Sequence, residues 1–379
     1  MKSSPPLNAR ILDPTDENIQ NAVLLLKQGG IVAMPTETVY GLAGNAFDAQ
    51  ALSKIFLAKD RPTFDPLIAH VALEKSTFAD LMREQLVSPQ ELSDLAVKRI
   101  DRLIREYWPG PLTLVLPRGK LVPDLATSGM ETVAIRAPKH PVARRLIREL
   151  GLPVCAPSAN RFGRISPTSA KDVKEELGDR IELILDGGDC EIGIESTILQ
   201  ITEDGEPILL RPGVISREAL AKTLGVSIEN PCDEPANSGS PRVIAPGRLE
   251  SHYAPKKPLR LLATTLAQMM TPPILPGITG RAGEIPAGKK VGLLISSGNA
   301  KAAGETLSAI LDAEVITETL SEKGDWLEAA QNFFKKLRAL DASDANFLLA
   351  EPIPQAVQES SGIAYAIADR LLRAAAPKE

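Results

Sequence analysis

The sequence predicts an α/β protein in two parts: a mixed, twisted sheet with helices over residues 1–220, and a smaller Rossmann-like α/β domain over 259–379, joined by a linker at 221–258. Three observations predict it. Short apolar runs bounded by Pro and Gly alternate with stretches of helical periodicity along the first part. Several of the later runs follow one another with no helix between them, which calls for a mixed sheet rather than a purely parallel one. The stretch IENPCDEPANSGSPRVIAPGRLESHYAPKKP is crowded with Pro, Ser, Gly and Asn, lacks periodicity, and precedes a second alternation of strand and helix. At 379 residues the chain is also longer than one ordinary core supports.

Taken in order, DENIQNAVLLLKQGG places Ile19, Val23 and Leu26 on one helical face and stops at Gly29 and Gly30. GIVAMP then reads as a strand. PLIAHV, LTLVLP, TVAIRAP, LPVCAP, ELILDGG, STILQI and PILLRP are further strands, with helices at 49–58, 89–106, 141–150 and 169–177. Ser88 followed by Pro89 and Glu91 forms a capping box for the second of these helices. Beyond the linker, LRLLAT, KVGLLIS, AEVIT and NFLLAEP read as strands. DWLEAAQNFFKKLRAL and SGIAYAIADRLLRAAA are helices among them, a spacing that resembles a small doubly wound sheet.

Composition narrows the function. A chain with 44% hydrophobic and 24% charged residues folds rather than staying disordered. No apolar run approaches the roughly 20 residues of a membrane-spanning helix. The start, MKSSPPLNARILDPTDEN, has no apolar stretch of the signal-peptide kind, so no membrane association and a cytoplasmic address are expected. Cys155, Cys190 and Cys232 are odd in number and widely spaced, so they read as plain thiols. The three histidines, His70, His140 and His252, show no metal-ligand spacing. A net charge of −5, with a slight acidic excess in both halves, argues against a direct tight grip on RNA, and tRNA binding is expected to be weak or absent.

The usual nucleotide-binding glycine motifs are absent. Three stretches instead put polar and charged residues at strand ends, where open α/β sheets hold ligands: PTETVYGLAG, KDRPTFDPLIAHV and APSANRFGRISPTSA. An isolated Lys59 and Arg61 would simply be solvated, but Pro62 and Pro66 bracket a fixed loop that suits a polyphosphate or carboxylate. Ser158 and Asn160 are turn residues on one reading. On the other they belong to an anion cradle with the helix opening near Thr168. His70 alone reads as a satisfied core histidine, Tyr40 and Trp108 as packing residues, and Cys155 as a small buried hydrophobe. Glu37 has no partner within its spacing and is left without a role.

Together these residues carry a resemblance. PTETVYGL, K-x-R-P with PLI-x-H, WPGPLT, VAIRAP, the S-x-N of PSAN, SPT, GIEST and LLRPG resemble the YrdC-type threonylcarbamoyl-AMP synthase family in order and spacing over about residues 8–217. K-x-R and S-x-N are that family's signature pairs. PGRLESHYAP and the Rossmann-like unit after it resemble the long, two-domain members. The resemblance implies a YrdC-like fold and a nucleotidyltransferase. Its reaction condenses L-threonine, bicarbonate and ATP to L-threonylcarbamoyladenylate, pyrophosphate and water, the first step of threonylcarbamoyladenosine modification in ANN-decoding tRNA. Other tRNA-threonylcarbamoylation proteins are the implied partners.

Carried over by position, the resemblance implies that Thr38, His70, Arg136 and Ser196 contact L-threonine, with Ala156 lining the pocket through its backbone. Arg61, Thr132, Ser158, Ser166 and Arg211 would hold ATP, helped by Lys59 and Asn160, with Lys59 and Arg61 the catalytic cations. Tyr253, in a linker acting as a lid, would fold back over the nucleotide. Asp65 stands where many members have Asn. A carboxylate beside a triphosphate is repelled unless a cation intervenes, so its expected place is at the ATP site, on the nucleotide or on Mg²⁺ carried by the phosphates. The chemistry crowds several anions together, and Lys59, Arg61, Arg136 and Arg211 supply the opposing charge. Two other readings stay open: an RNA- or ribosome-binding module of the same fold, and a carbamoyl-transfer enzyme, whose known forms carry acylphosphatase and zinc-finger segments that this chain lacks.

Overall fold

The computed structural model of the chain describes residues 7–72, 77–88, 92–228, 251–266 and 290–377. It comprises two compact units, Met1–Phe162 with Ser166–Arg248, and Gly163–Ile165 with Leu249–Glu379.

The first unit runs β1 (Arg10–Leu12), α1 (Asp16–Lys27), β2 (Val32–Met34), β3 (Gly41–Asn45), α2 (Ala49–Lys59), β4 (Ile68–His70), α3 (Phe78–Arg83), α4 (Asp94–Tyr107) and β5 (Leu112–Pro117). It continues with α5 (Asp124–Thr127), β6 (Thr132–Arg136), α6 (Pro141–Leu150), β7 (Val154–Cys155), α7 (Ala170–Leu177), β8 (Leu183–Leu185), β9 (Thr197–Ile201), β10 (Pro207–Arg211) and α8 (Arg217–Leu224). Helix α1 follows its sequence signals: Thr15 caps the Asn18 N–H, Ile19, Val23 and Leu26 are buried, and Gly29 takes φ 71° past the end. Helix α4 begins at Asp94 under Ser93, whose hydroxyl accepts from the Ala96 N–H, and not at the expected Ser88 cap; residues 89–91 of that cap lie outside the described residues. Residues 221–224, expected in the linker, are the last turn of α8.

The strands form one ten-stranded sheet in the order β1-β8-β2-β3-β7-β4-β6-β5-β9-β10, with parallel and antiparallel neighbours. Side chains alternate between its faces: Ala33 joins a cluster with Leu52, Ile55, Ile100 and Leu103, whereas Val32 and Met34 join one with Ile19, Leu26, Leu146 and Ile147. Strand β3 was not expected from GLAGN, which is rich in poor strand formers. It exists because β2 and β7 pair with it on either side.

Register gathers particular residues at one end of this sheet. His70 pairs with Arg136 where parallel β4 and β6 finish. Antiparallel β5 starts there, since Leu114 pairs with Ile135, and β9 starts beside it, Leu112 pairing with Thr197. Strand β10 ends there, with Arg211 opposite Ile198.

The second unit has its own four-stranded parallel sheet, ordered β11 (Leu259–Leu261), β14 (Phe347–Ala350), β12 (Val291–Ser297), β13 (Val315–Ser321). Helices α9 (Ala300–Leu311), α10 (Trp326–Ala342), α11 (Gln355–Ser360) and α12 (Gly362–Ala375) complete it. Gly163–Ile165 belongs here through hydrogen bonds from the Ala254 N–H to the Gly163 carbonyl, 2.8 Å, and from Arg338 to the Ile165 carbonyl, 2.9 Å. No described helix is long and apolar enough to cross a membrane.

Tyr40, at the start of β3, fastens the PTETVY loop. Its hydroxyl donates to the Gly188 carbonyl at 2.9 Å and accepts from the Gly187 N–H at 3.1 Å; the tyrosine is buried, whereas Gly187 is half-buried and Gly188 exposed. Tyr40→Phe removes both bonds, and since water can reach the exposed Gly188, it should destabilise the unit by roughly 1 kcal/mol. A urea titration checks this, and an unchanged midpoint would contradict the fastening role.

Candidate active site

Arg136 ends β6 with 4% exposure, and each nitrogen of its guanidinium has one partner. Nε donates to the Gly110 carbonyl at 3.2 Å, Nη1 to Thr38 Oγ1 at 2.7 Å and Nη2 to Glu37 Oε1 at 2.6 Å. The second oxygen of Glu37 accepts from the Lys139 N–H at 3.0 Å. Burial alone would raise the Glu37 carboxyl. The charge and hydrogen bond of Arg136 outweigh it, with help from backbone N–H donors, and hold the group below its ordinary value.

His70 stands beside Arg136 in the paired strands, 3% exposed. Its Nδ1 lies 3.0 Å from the Ile68 carbonyl, which can only accept, so Nδ1 carries the proton and Nε2 is left with a lone pair. Burial, then the neighbouring Arg136 charge, push its pKa down to about 3. The ring is therefore a neutral acceptor of hydrogen bonds.

Across the same sheet end, Ser196 Oγ lies 2.7 Å from Thr113 Oγ1, and Arg211 reaches both atoms that Ser196 offers: Nε to the carbonyl at 3.1 Å and Nη2 to Oγ at 3.2 Å. Ser166 donates to Glu195 Oε1 at 2.6 Å, and both are buried.

The cations of the K-x-R stretch are set by a helix end. Helix α2 stops on Asp60, held at φ 52°, while the Arg61 N–H returns to the Phe56 carbonyl at 3.0 Å. Lys59 Nζ, 1% exposed, donates to the Ser158 and Asn160 carbonyls, each at 2.5 Å, and the Lys59 carbonyl accepts from the Phe162 N–H. K-x-R is thus bonded directly to S-x-N. Burial, then the charge of Arg61, depress Lys59 well below the usual ammonium range.

Arg61 donates from Nε to the Asp65 carbonyl at 3.1 Å and from Nη2 to the Pro66 carbonyl at 2.7 Å. The same Nη2 stands 2.9 Å from Asp65 Oδ2. That contact is Coulombic rather than a directed bond, and burial wins: Asp65 is held above its ordinary value despite the charges of Arg61, Lys59 and Arg211.

The structure brings Thr38, His70, Arg136, Ser196 and Arg211 to one sheet end, with Ala156 joined to it through its N–H on the Ile68 carbonyl at 3.0 Å. Lys59, Arg61, Asp65, Ser158 and Asn160 form the adjoining cluster. Thr132 is not brought together with Arg136: it is the first residue of β6, about 13 Å away at the usual rise per strand residue. Tyr253, at φ 62°, packs inside the second unit against His252 and Phe334, with Arg370 above its ring at 5.8 Å. Most of the expected lid, residues 229–250, lies outside the described residues.

The expected helix-terminal anion cradle near Thr168 is filled by the protein itself. The N–H groups of Thr168 and Ser169 donate to Asp172 Oδ2, and α7 starts at Ala170. Asp65 suits Mg²⁺ poorly, being turned to Arg61, and no described group of three or more His, Cys, Asp or Glu side chains could hold a metal. Glu37, Thr36, Thr113 and Glu195 were not found as site residues by sequence reasoning. The partner of Glu37 lies 99 positions away, so no local spacing reveals it.

A family model described as "Telomere recombination" (Sua5, YciO, YrdC) matches residues 24–213, and one described as "Threonylcarbamoyl-AMP synthase, C-terminal domain" matches 215–376. The threonylcarbamoyl-AMP synthase of Bacillus subtilis is 34% identical over 96% of this chain and 94% of its own. That of Pyrococcus abyssi is 37% identical over 94% and 93%. The crystal structure of P. abyssi Sua5 complexed with L-threonine is similar with a TM-score of 0.73 and 32% identity, covering 98% of each chain.

A neutral buried His70 links stability to pH. The unfolded ring binds a proton as pH falls through 6.5, while the folded ring refuses it down to about 3. Stability is therefore lost across that window on acidification. His70→Gln should lose less over the same range in urea titrations, and identical slopes for the two proteins would count against a neutral buried ring.

Proposed function

The chain belongs to the threonylcarbamoyl-AMP synthase family in its long form, and from that membership we propose that it condenses L-threonine, bicarbonate and ATP into L-threonylcarbamoyladenylate, releasing pyrophosphate and water, as the first step of tRNA threonylcarbamoyladenosine formation. The observation that carries this reading is the gathering of buried, oriented cations: Arg136 held by Thr38 and Glu37 and Arg211 held by Ser196 at one sheet end, with Arg61 on Asp65 and Lys59 on the Ser158 and Asn160 carbonyls beside them.

L-Threonine is read by the first cluster. Its carboxylate meets the two N–H bonds that Arg136 has not spent on Gly110, Thr38 and Glu37. Ser196 adds a hydroxyl, and the backbone at Ala156 closes the side. His70 Nε2 accepts a hydrogen bond from the amino acid without taking the proton, because burial keeps the ring neutral.

ATP is read by the second cluster, with Arg61, Arg211, Ser158, Asn160, Ser166 and Thr132 as its contacts. Asp65 acts on it through Arg61, whose guanidinium it orients. Lys59 acts through its hold on the Ser158 and Asn160 carbonyls as well as by charge. Mg²⁺ travels on the phosphates.

The amine of threonine and bicarbonate give a carbamate, with loss of water. A carbamate oxygen then attacks the α-phosphorus, and the bond to the β-phosphate oxygen breaks to release pyrophosphate. No side chain acts as nucleophile. The protein's part is to place anions side by side and hold their charge in a fixed, dry field. The setting is the cytoplasm, with other tRNA-threonylcarbamoylation proteins taking the product onward.

Pyrophosphate release should require ATP, threonine and bicarbonate together. Turnover without threonine, followed by a phosphate-release assay, would overturn the assignment. Arg61→Lys keeps the charge but loses the fork that grips two carbonyls and Asp65. It should raise KM for ATP about tenfold or more while moving KM for threonine much less, and equal rises in both would place Arg61 elsewhere.

A further inference from the structure

The loop between β2 and β3 holds a buried hydroxyl, that of Thr36, to which none of the roles above falls. Its Oγ1 lies 2.6 Å from the Val39 carbonyl, which can only accept, so its single proton is spent there. One of its two lone pairs is shared by the N–H groups of Thr38 and Val39, in long bonds of 3.2 and 3.3 Å. Thr38 Oγ1 stands 2.8 Å away. Because Thr36 has no second proton to give, Thr38 must be the donor of that bond.

The consequence falls on Thr38. Its proton points at Thr36, one lone pair takes the Nη1 hydrogen of Arg136, and what is left is a lone pair. Arg136 cannot turn to release it, because Glu37 and Gly110 fix the other two nitrogens. Thr38 therefore meets a ligand as an acceptor, and it does so because of Thr36.

We propose that Thr36 is a positioning residue that fixes the polarity of the Thr38 hydroxyl, so that this point of the amino-acid subsite selects a ligand N–H or O–H and turns away a carboxylate oxygen. This rests on the reading of Thr38 as part of that subsite. The acceptor pair Thr38 and His70 Nε2 thus takes the ammonium and hydroxyl end of the substrate, while Arg136 takes its carboxylate end. The division excludes the reversed orientation, which would leave the carbamate-forming nitrogen against a guanidinium.

The test is a double-mutant cycle on the full-length protein, using Thr36→Val, Thr38→Val and the pair. Calorimetry with L-threonine alone gives Kd, and steady-state assays give KM for ATP. Thr36→Val should weaken threonine binding about tenfold with KM for ATP held within about twofold. Thr36→Ser should restore binding, and the double variant should bind no worse than Thr38→Val. Multiplying losses in the double variant, or an unchanged Kd in a folded Thr36→Val protein, would overturn the proposal. If Thr36→Val does not fold, Thr36→Cys, a weak acceptor of similar size, makes the same comparison. An unchanged Kd in Thr38→Val would instead remove the amino-acid subsite itself, and the proposal with it.

Discussion

A guanidinium buried at the end of a central strand is the constraint around which the first unit is arranged. Removing such a charge from water costs several kcal/mol unless it is paired and its hydrogens are placed. Arg136 meets the condition with a carboxylate, a hydroxyl and a carbonyl drawn from the β2–β3 loop and from Gly110. The requirement is mutual, because Glu37 is as deeply buried as its partner. Either group without the other would be a lone charge in an apolar setting, so the PTET loop has one place to be.

The same logic joins the two signature motifs. Lys59 finds no carboxylate at bonding distance among its hydrogen bonds; it is held by the carbonyls of Ser158 and Asn160. The helix end that carries K-x-R therefore shapes the S-x-N loop, and each would lose its conformation without the other. Asp65 offsets part of the surrounding positive charge, yet burial keeps its carboxyl above the ordinary range. Arg61 and Arg211 set two guanidinium charges against this one carboxyl, an excess of the kind that a site for several phosphates needs before the ligand arrives.

Neutral groups set direction where charged groups set position. His70 gives its proton to Ile68, Thr36 gives its own to Val39, and Thr38 gives its own to Thr36. Each gift removes one way in which the site could meet a ligand. What remains is a fixed pattern of acceptors beside a fixed donor, assembled from residues whose charges never change near neutral pH.

The sequence by itself determined the α/β class, the strands from LTLVLP to PILLRP, the helix over DENIQNAVLLLK and the family, because apolar periodicity and turn chemistry are local and the motifs stand in a fixed order. It missed β3, whose GLAGN becomes a strand only between two neighbours. It placed the start of α4 too early and read an open cradle at α7 where Asp172 closes the helix end. Glu37 had no legible role, since its partner is reached only when β6 is laid beside the β2–β3 loop. Pairing across a sheet and the direction of a hydroxyl proton depend on which distant atoms come within about 3 Å. That distance is decided by tertiary structure, because no spacing along the chain encodes it.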